Sequence, residues 1–263
     1  MALSQEERAN NNKRIQTAIS EYKESQLLPT RNIFSAINYN AFYKQHQILT
    51  VAGRPDAGKT QIAMYIAKSQ LEQNIPVHYM AFEETRANLY SSFVRSLNPD
   101  QLENLKVDGV GDGELEKVLN NIKSGYKLGY EFFVIDQLSL IDVDTVPTIR
   151  EKYDKFQREL LKVVMELPIT VLQVSQLNRD AKDSNEPEYN LAESDRILQN
   201  TKWLGVVSKI DDIDKQTKKL RLQIRKSKIE NGEYADYEFK YDYNAMFMFD
   251  VFDFKEKPKW EGL

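Results

Sequence analysis

From residue 47 onward, short apolar runs alternate with longer segments whose apolar positions recur at helical spacing. Residues 47–52 (QILTVA) are apolar and β-branched, which suits a buried strand. Residues 60–73 follow as a predicted helix with Ile62, Ala63, Ile66, Ala67 and Leu71 on one side, and Pro76 breaks the chain after it. Further strands are predicted at 77–82, 132–135, 169–174 and 203–208, with helices at 114–123 and 149–166. Strands alternating with helices imply an α/β fold with a mostly parallel central sheet and helices on both faces. Beyond 208 the rhythm changes. Residues 219–226, 234–240 and 245–249 read as successive strands separated by Asn231-Gly232 and Tyr243-Asn244, which predicts an antiparallel C-terminal edge.

The start of the chain is different. Residues 4–28 form one polar helical pattern with a narrow stripe of Ile15, Ala18, Ile19 and Tyr22, and Pro29 stops it. Such a stripe fits a helix packed on its own domain and equally an arm docked on a neighbouring subunit.

Composition narrows the classes. At 263 residues the chain has room for one large α/β domain or at most two small ones. It has no cysteine, which excludes disulfides and thiolate metal sites. No apolar run is long enough for a membrane span, and residues 1–14 lack the apolar centre of a signal peptide. A cytoplasmic location is the default expectation. The net charge of −4 supplies no global positive field, so any nucleic-acid contact must come from a local basic surface.

The chemistry is concentrated at strand ends. Gly53, Arg54, Pro55, Asp56, Ala57, Gly58, Lys59 and Thr60 match G-x-x-x-x-G-K-[ST]. The glycines let the backbone turn around an anion, and successive N–H groups with the following helix end favour negative charge. Lys59 is expected to hold the β- and γ-phosphates of ATP, and Thr60 to offer a hydroxyl to Mg²⁺. The motif sits between a predicted buried strand and an amphipathic helix, the context that separates a phosphate loop from a chance surface match.

Such a loop needs a carboxylate at a neighbouring strand tip. Phe132-Phe133-Val134-Ile135 runs into Asp136, whose charge is expected to emerge at the carboxyl edge of the sheet. Asp136 is therefore the candidate Mg²⁺ partner, with a turn-capping Asp as the plain alternative. The strand at 77–82 runs into Glu83-Glu84. Glu83 is the candidate catalytic base, Glu84 the lesser one, and a solvated acidic pair the alternative. A third strand ends Val174-Ser175-Gln176, where Gln176 either senses a γ-phosphate or is an ordinary polar strand end.

GRPDAGKT, the strand into Glu83, FFVIDQLSLI and VSQLNRD together resemble the ATPase domain of DnaB-type replicative helicases, hexameric members of the RecA superfamily. The resemblance spans roughly residues 32–249, and the order of the three strand tips is more specific than the phosphate loop alone. It implies an N-terminal helical arm or linker at 1–30 and a RecA-like ATPase domain at 31–263. It also implies ATP and Mg²⁺ as cofactors, with Asp136 as the Walker B acid, Glu83 as the catalytic glutamate and Gln176 as the γ-phosphate relay. The family carries a Lys-x-Arg that reaches the neighbouring subunit's nucleotide. Here the matching segment is Lys226-Ser227-Lys228. A lysine cannot clamp phosphate oxygens with a planar fork. A trans-acting arginine is worth about 10³–10⁵ in rate where it has been tested, so turnover is expected to be slow unless Arg225 takes the part. The chain lacks room for the helical N-terminal domain of many replicative helicases, which suggests a stand-alone core of the kind that phages encode; its location would then be the host cytoplasm.

The resemblance further implies single-stranded DNA, other copies of the chain in a homohexamer and other replication proteins as partners. DNA contact is expected at loops 142–150 and 178–196. In the second of these, Arg179, Lys182 and Arg196 stand among Asp180, Asp183, Glu186, Glu188, Glu193 and Asp195, with Tyr189 as a base stacker. The denser basic run at 215–228 is a DNA or subunit contact or a solvated hairpin. Three functions remain open on the sequence: a helicase-like motor on single-stranded DNA, a RecA-like recombination or strand-annealing ATPase, and an ATP-dependent interaction or loader protein.

Overall fold

The computed structural model describes residues 46–109, 113–143, 148–177, 195–212, 217–227, 235–242 and 247–249. The predicted arm at 1–30 lies outside the described residues. Six strands, β1 (Gln47–Gly53), β2 (Val77–Ala81), β3 (Leu105–Asp108), β4 (Phe132–Asp136), β5 (Thr170–Gln176) and β6 (Trp203–Asp212), are joined by helical crossovers. Three more follow: β7 (Thr217–Ser227), β8 (Ala235–Asp242) and β9 (Phe247–Phe249). The helices are α1 (Lys59–Leu71), α2 (Arg86–Val94), α3 (Pro99–Glu103), α4 (Leu115–Lys127), α5 (Ile149–Glu166) and α6 (Asp195–Asn200).

All nine strands form one sheet in the order β3-β2-β4-β5-β1-β6-β7-β8-β9. Every pairing from β3 to β6 is parallel, and every pairing from β6 to β9 is antiparallel. This is the mostly parallel sheet with an antiparallel edge that the hydrophobic rhythm predicts. Strands β1, β2 and β4 are buried along their whole length, as parallel strands covered on both faces must be.

The sheet divides two apolar cores. One unites α1, α2 and the sheet face that carries Leu49, Val51, Tyr79 and Val134. The other packs α4, α5 and Ile197 of α6 on the face that carries Ile48, Ala52, Phe133 and Ile135. Helix α1 departs from its expected one-sided pattern, because eleven of its thirteen residues are buried. Leu220, Leu222, Ile224, Tyr237 and Tyr241 of the antiparallel strands join the same apolar cluster as α1.

Local signals explain the helix boundaries. Thr148 and Glu151 close a capping box at the start of α5. Asn98 and Gln101 do the same for α3, with Pro99 in its first turn. Strand β6 runs past residue 208 to Asp212, although Lys209–Asp212 is exposed. Its pairing with β7 satisfies the backbone there, so the hairpin outlasts the apolar run. Register shifts fall between Leu204 and Gly205 and between Lys209 and Asp211. At the first, Lys226 faces Leu204 and Ile224 faces Gly205, which leaves Arg225 as the bulged residue of β7.

Candidate active site

The crossover from β1 to α1 is the phosphate-loop sequence. Gly53 closes the tip of β1, where a Cβ would stand 2.6 Å from the Val207 carbonyl oxygen of β6. Gly58 caps α1 at φ 94°, a left-handed conformation that favours glycine. Asp56 is also left-handed, at φ 58°. The Ala57 amide bonds the Arg54 carbonyl, which folds the loop into a turn. The N-cap of α1 is Gly58, which has no side chain to cap the first amides, and no acidic residue stands in its first turn. Helix α5, by contrast, has its amino end closed by a side-chain box. The α1 end thus keeps its positive dipole available to an anion.

Lys59 folds back over this loop, its Nζ donating to the Arg54 carbonyl at 2.9 Å. Burial depresses its pKa, and the charges of Glu83, Asp136 and Asp56 oppose that shift. Glu83 also acts on Asp136, so both acidic strand tips stand within electrostatic reach of the lysine and of each other. Glu83 itself is exposed, two residues past the end of β2.

Asp136 lies at the carboxyl edge, in register with Ala81, but its side chain does not emerge into solvent: it is 2% exposed. The expectation that its charge would emerge is corrected: two hydroxyls satisfy it in place. Tyr79 donates to Oδ2 at 2.8 Å, and Thr60 donates to Oδ1 at 3.4 Å. Burial nevertheless raises the Asp136 pKa to about 6, against the pull of these hydrogen bonds. Tyr79 is the residue that motif reading misses. The β2–β4 register sets Ala81 opposite Asp136 and Tyr79 opposite Val134, so Tyr79, two residues before Ala81, shares the face of Asp136.

Gln176 is half-buried at the end of β5, paired in register with Gly53. The next amide, Leu177 N–H, bonds the Gly53 carbonyl at 3.0 Å. The topology therefore gathers residues 53–60, Glu83, Asp136 and Gln176 along one edge.

Among the described residues, three other candidates stand elsewhere. Lys226 pairs with Leu204, which is level with Thr50 and thus well back from the β1 tip toward the amino edge. Arg225 is half-buried on the same strand. Arg196 is exposed on α6 and pairs with Asp154 of α5 at 3.5 Å. Lys228, Arg179, Lys182 and Tyr189 lie outside the described residues, as does part of the 142–150 loop.

The donor set suits a hard divalent cation shared with phosphate. A threonine hydroxyl that donates to a carboxylate keeps its lone pairs available, and hydroxyl and carboxylate oxygens are the ligands that Mg²⁺ prefers. Among the described residues no group of three or more His, Cys, Asp or Glu forms a metal cage of its own. Mg²⁺ does not require one, since it commonly binds through one or two carboxylates, waters and substrate phosphates.

No protein-family model matches the chain, and no curated protein matches it. Solved structures do. One, described as an ATPase domain, superimposes with a TM-score of 0.69 at 16% identity, over 90% of this chain and 98% of that one. A DnaB-like replicative helicase, described together with its interactions with primase, superimposes with a TM-score of 0.64 at 15% identity, over 89% of this chain and 70% of that one. At this identity the likeness establishes the fold: this chain has the architecture of a DnaB-type helicase ATPase domain.

Proposed function

We propose that this chain is an ATP-hydrolysing, helicase-like motor that acts on single-stranded DNA in replication. The observation that carries the reading is the convergence of Glu83, Asp136 and Gln176, from three strand tips, on the uncapped start of α1. A buried lysine beside a buried carboxylate, in a phosphate-loop sequence, is the kind of perturbed pair that functional sites concentrate.

In this reading the loop amides and Lys59 hold the β- and γ-phosphates, and Thr60 and Asp136 hold Mg²⁺. The ion neutralises charge on the phosphate oxygens when bound. Glu83 is exposed and close to the phosphate end of the site, as a base that takes a proton from the attacking water must be. Gln176 is in register with Gly53 and precedes the 178–196 loop in the sequence, which supports a role in reporting the γ-phosphate to a DNA loop. Lys226 sits away from its own phosphate loop, which favours a role for Lys226 and Lys228 at a neighbour's nucleotide in a homohexamer.

The deciding experiment measures ATPase rate with and without single-stranded DNA, alongside mass in the presence of Mg²⁺ and a non-hydrolysable ATP analogue. DNA stimulation together with a hexamer mass supports the motor. A monomer without stimulation refutes it in favour of a nucleotide-dependent interaction protein.

A further inference from the structure

The geometry points to Tyr79 as the positioning residue for Asp136: its hydroxyl fixes one carboxylate oxygen so that the other faces Thr60, with which it would hold the cation. This inference rests on the proposed nucleotide site and assigns it a residue outside the phosphate loop and the strand tips.

Three observations carry it. Tyr79 is fully buried, and its hydroxyl donates to Asp136 Oδ2 at 2.8 Å. Its ring is fixed independently, packed edge-on against Phe93 of α2 with centroids 6.1 Å apart. The second carboxylate oxygen, Oδ1, accepts a hydrogen bond from the Thr60 hydroxyl at 3.4 Å. The two oxygens of Asp136 therefore have separate donors. One donor comes from the strand beneath the site and the other from the helix that begins at the phosphate loop.

The arrangement has a directional consequence. A carboxylate held at one oxygen cannot rotate freely about its terminal bond. Oδ1 then stays aimed at Thr60, and the Thr60 hydroxyl spends its proton on Asp136 and turns its lone pairs outward. Without the Tyr79 hydroxyl, Oδ1 and Oδ2 become interchangeable and the Thr60 orientation is no longer set. Partners that orient metal-binding groups in this way typically carry about 10–100-fold in metal affinity or activity.

Tyr79→Phe removes one oxygen and keeps the ring against Phe93, so it tests the hydroxyl alone. The probe is a fluorescent, non-hydrolysable ATP analogue titrated with Mg²⁺, with binding in excess chelator as the metal-free reference. Thermal melting of the nucleotide-free protein checks folding. The expected result is a rise of about tenfold in the Mg²⁺ concentration at half-saturation, with metal-free binding unchanged. In an Asp136→Asn background the same substitution should shift nothing further. A merely structural role would move the melting temperature and leave the Mg²⁺ midpoint alone, which overturns the inference. If Asp136→Asn shifts the Mg²⁺ midpoint while Tyr79→Phe does not, the nucleotide site stands and only the role of Tyr79 falls. If the unmodified protein does not bind the analogue at all, the site assignment itself falls.

Discussion

Gly58 lies directly beneath Leu220: a Cβ on the glycine would stand 2.9 Å from Leu220 Cδ1. The antiparallel strand β7 thus forms part of the wall behind the phosphate loop. Gly58 also holds φ at 94°, where an L side chain is strained. Gly58→Ala is therefore expected to cost about 1–3 kcal/mol of stability and to impair binding of an ATP analogue. Denaturant melts and analogue titration check both. Wild-type stability in Gly58→Ala would show that Leu220 does not close on the loop.

Lys59 is buried among three acidic neighbours, so its charge serves an anion and not the solvent. Lys59→Ala should weaken ATP-analogue affinity by about 10–100-fold, the worth of a charge-assisted contact. Equilibrium titration against the unmodified protein is the check. Unchanged affinity would remove the phosphate loop from the site.

Glu83→Gln separates binding from chemistry. Turnover should fall by about 10²–10⁴, while the ATP analogue binds as before. Single-turnover hydrolysis paired with analogue titration reads both quantities. Equal loss of binding and turnover would assign Glu83 to nucleotide contact and not to proton transfer.

A pH effect is expected on the opposite face of β2, next to Tyr79 in the chain. His78 is fully buried, with Nε2 against Asp108 at 2.6 Å. Among the described residues its buried Nδ1 has no hydrogen-bond partner, and a Cβ on Gly125 would stand 2.8 Å from it. Burial holds the imidazole below its ordinary value of 6.5, and the bond to Asp108 opposes that shift. Below that value the unfolded chain takes up a proton that the folded chain resists. The contribution of His78 to stability is thus complete above the ordinary value and is lost as pH falls through the depressed one. Urea midpoints measured from pH 8 to pH 5 should fall for the unmodified protein. The fall should be shallower for His78→Gln, which keeps a donor for Asp108 and does not titrate. Parallel slopes would exclude His78 as the source.

The chemical edge is readable in the sequence because each part of it is local. A glycine-rich loop between a strand and a helix, or an apolar run closed by one acid, announces itself within eight residues. Tyr79 is not readable, since VHYMA gives no sign that its third residue meets Asp136. That meeting depends on the β2–β4 register, which only the folded sheet defines. The five parallel strands with long apolar runs are legible, but β3 is not, because only two of its four residues are buried. Helix α2 buries only Leu89 and Phe93, too few to set a period. Helix α3 does carry a signal, Asn98-Pro99 with Gln101, that a capping-box search finds. The burial of α1 is hidden for a different reason: the apolar cluster it joins includes residues of β7 and β8, more than 140 positions later in the chain.

The outer margin of the sheet at β3 has a consequence for behaviour at high concentration. Among the described residues this strand ends the sheet, with only four residues of ladder on its outer side. It also carries Lys106 and Asp108, paired with each other at 3.0 Å and both partly exposed. A short margin studded with opposite charges is a poor template for an incoming strand. Crowding alone therefore gives these molecules little means of fusing edge to edge into a continuous ribbon at this side.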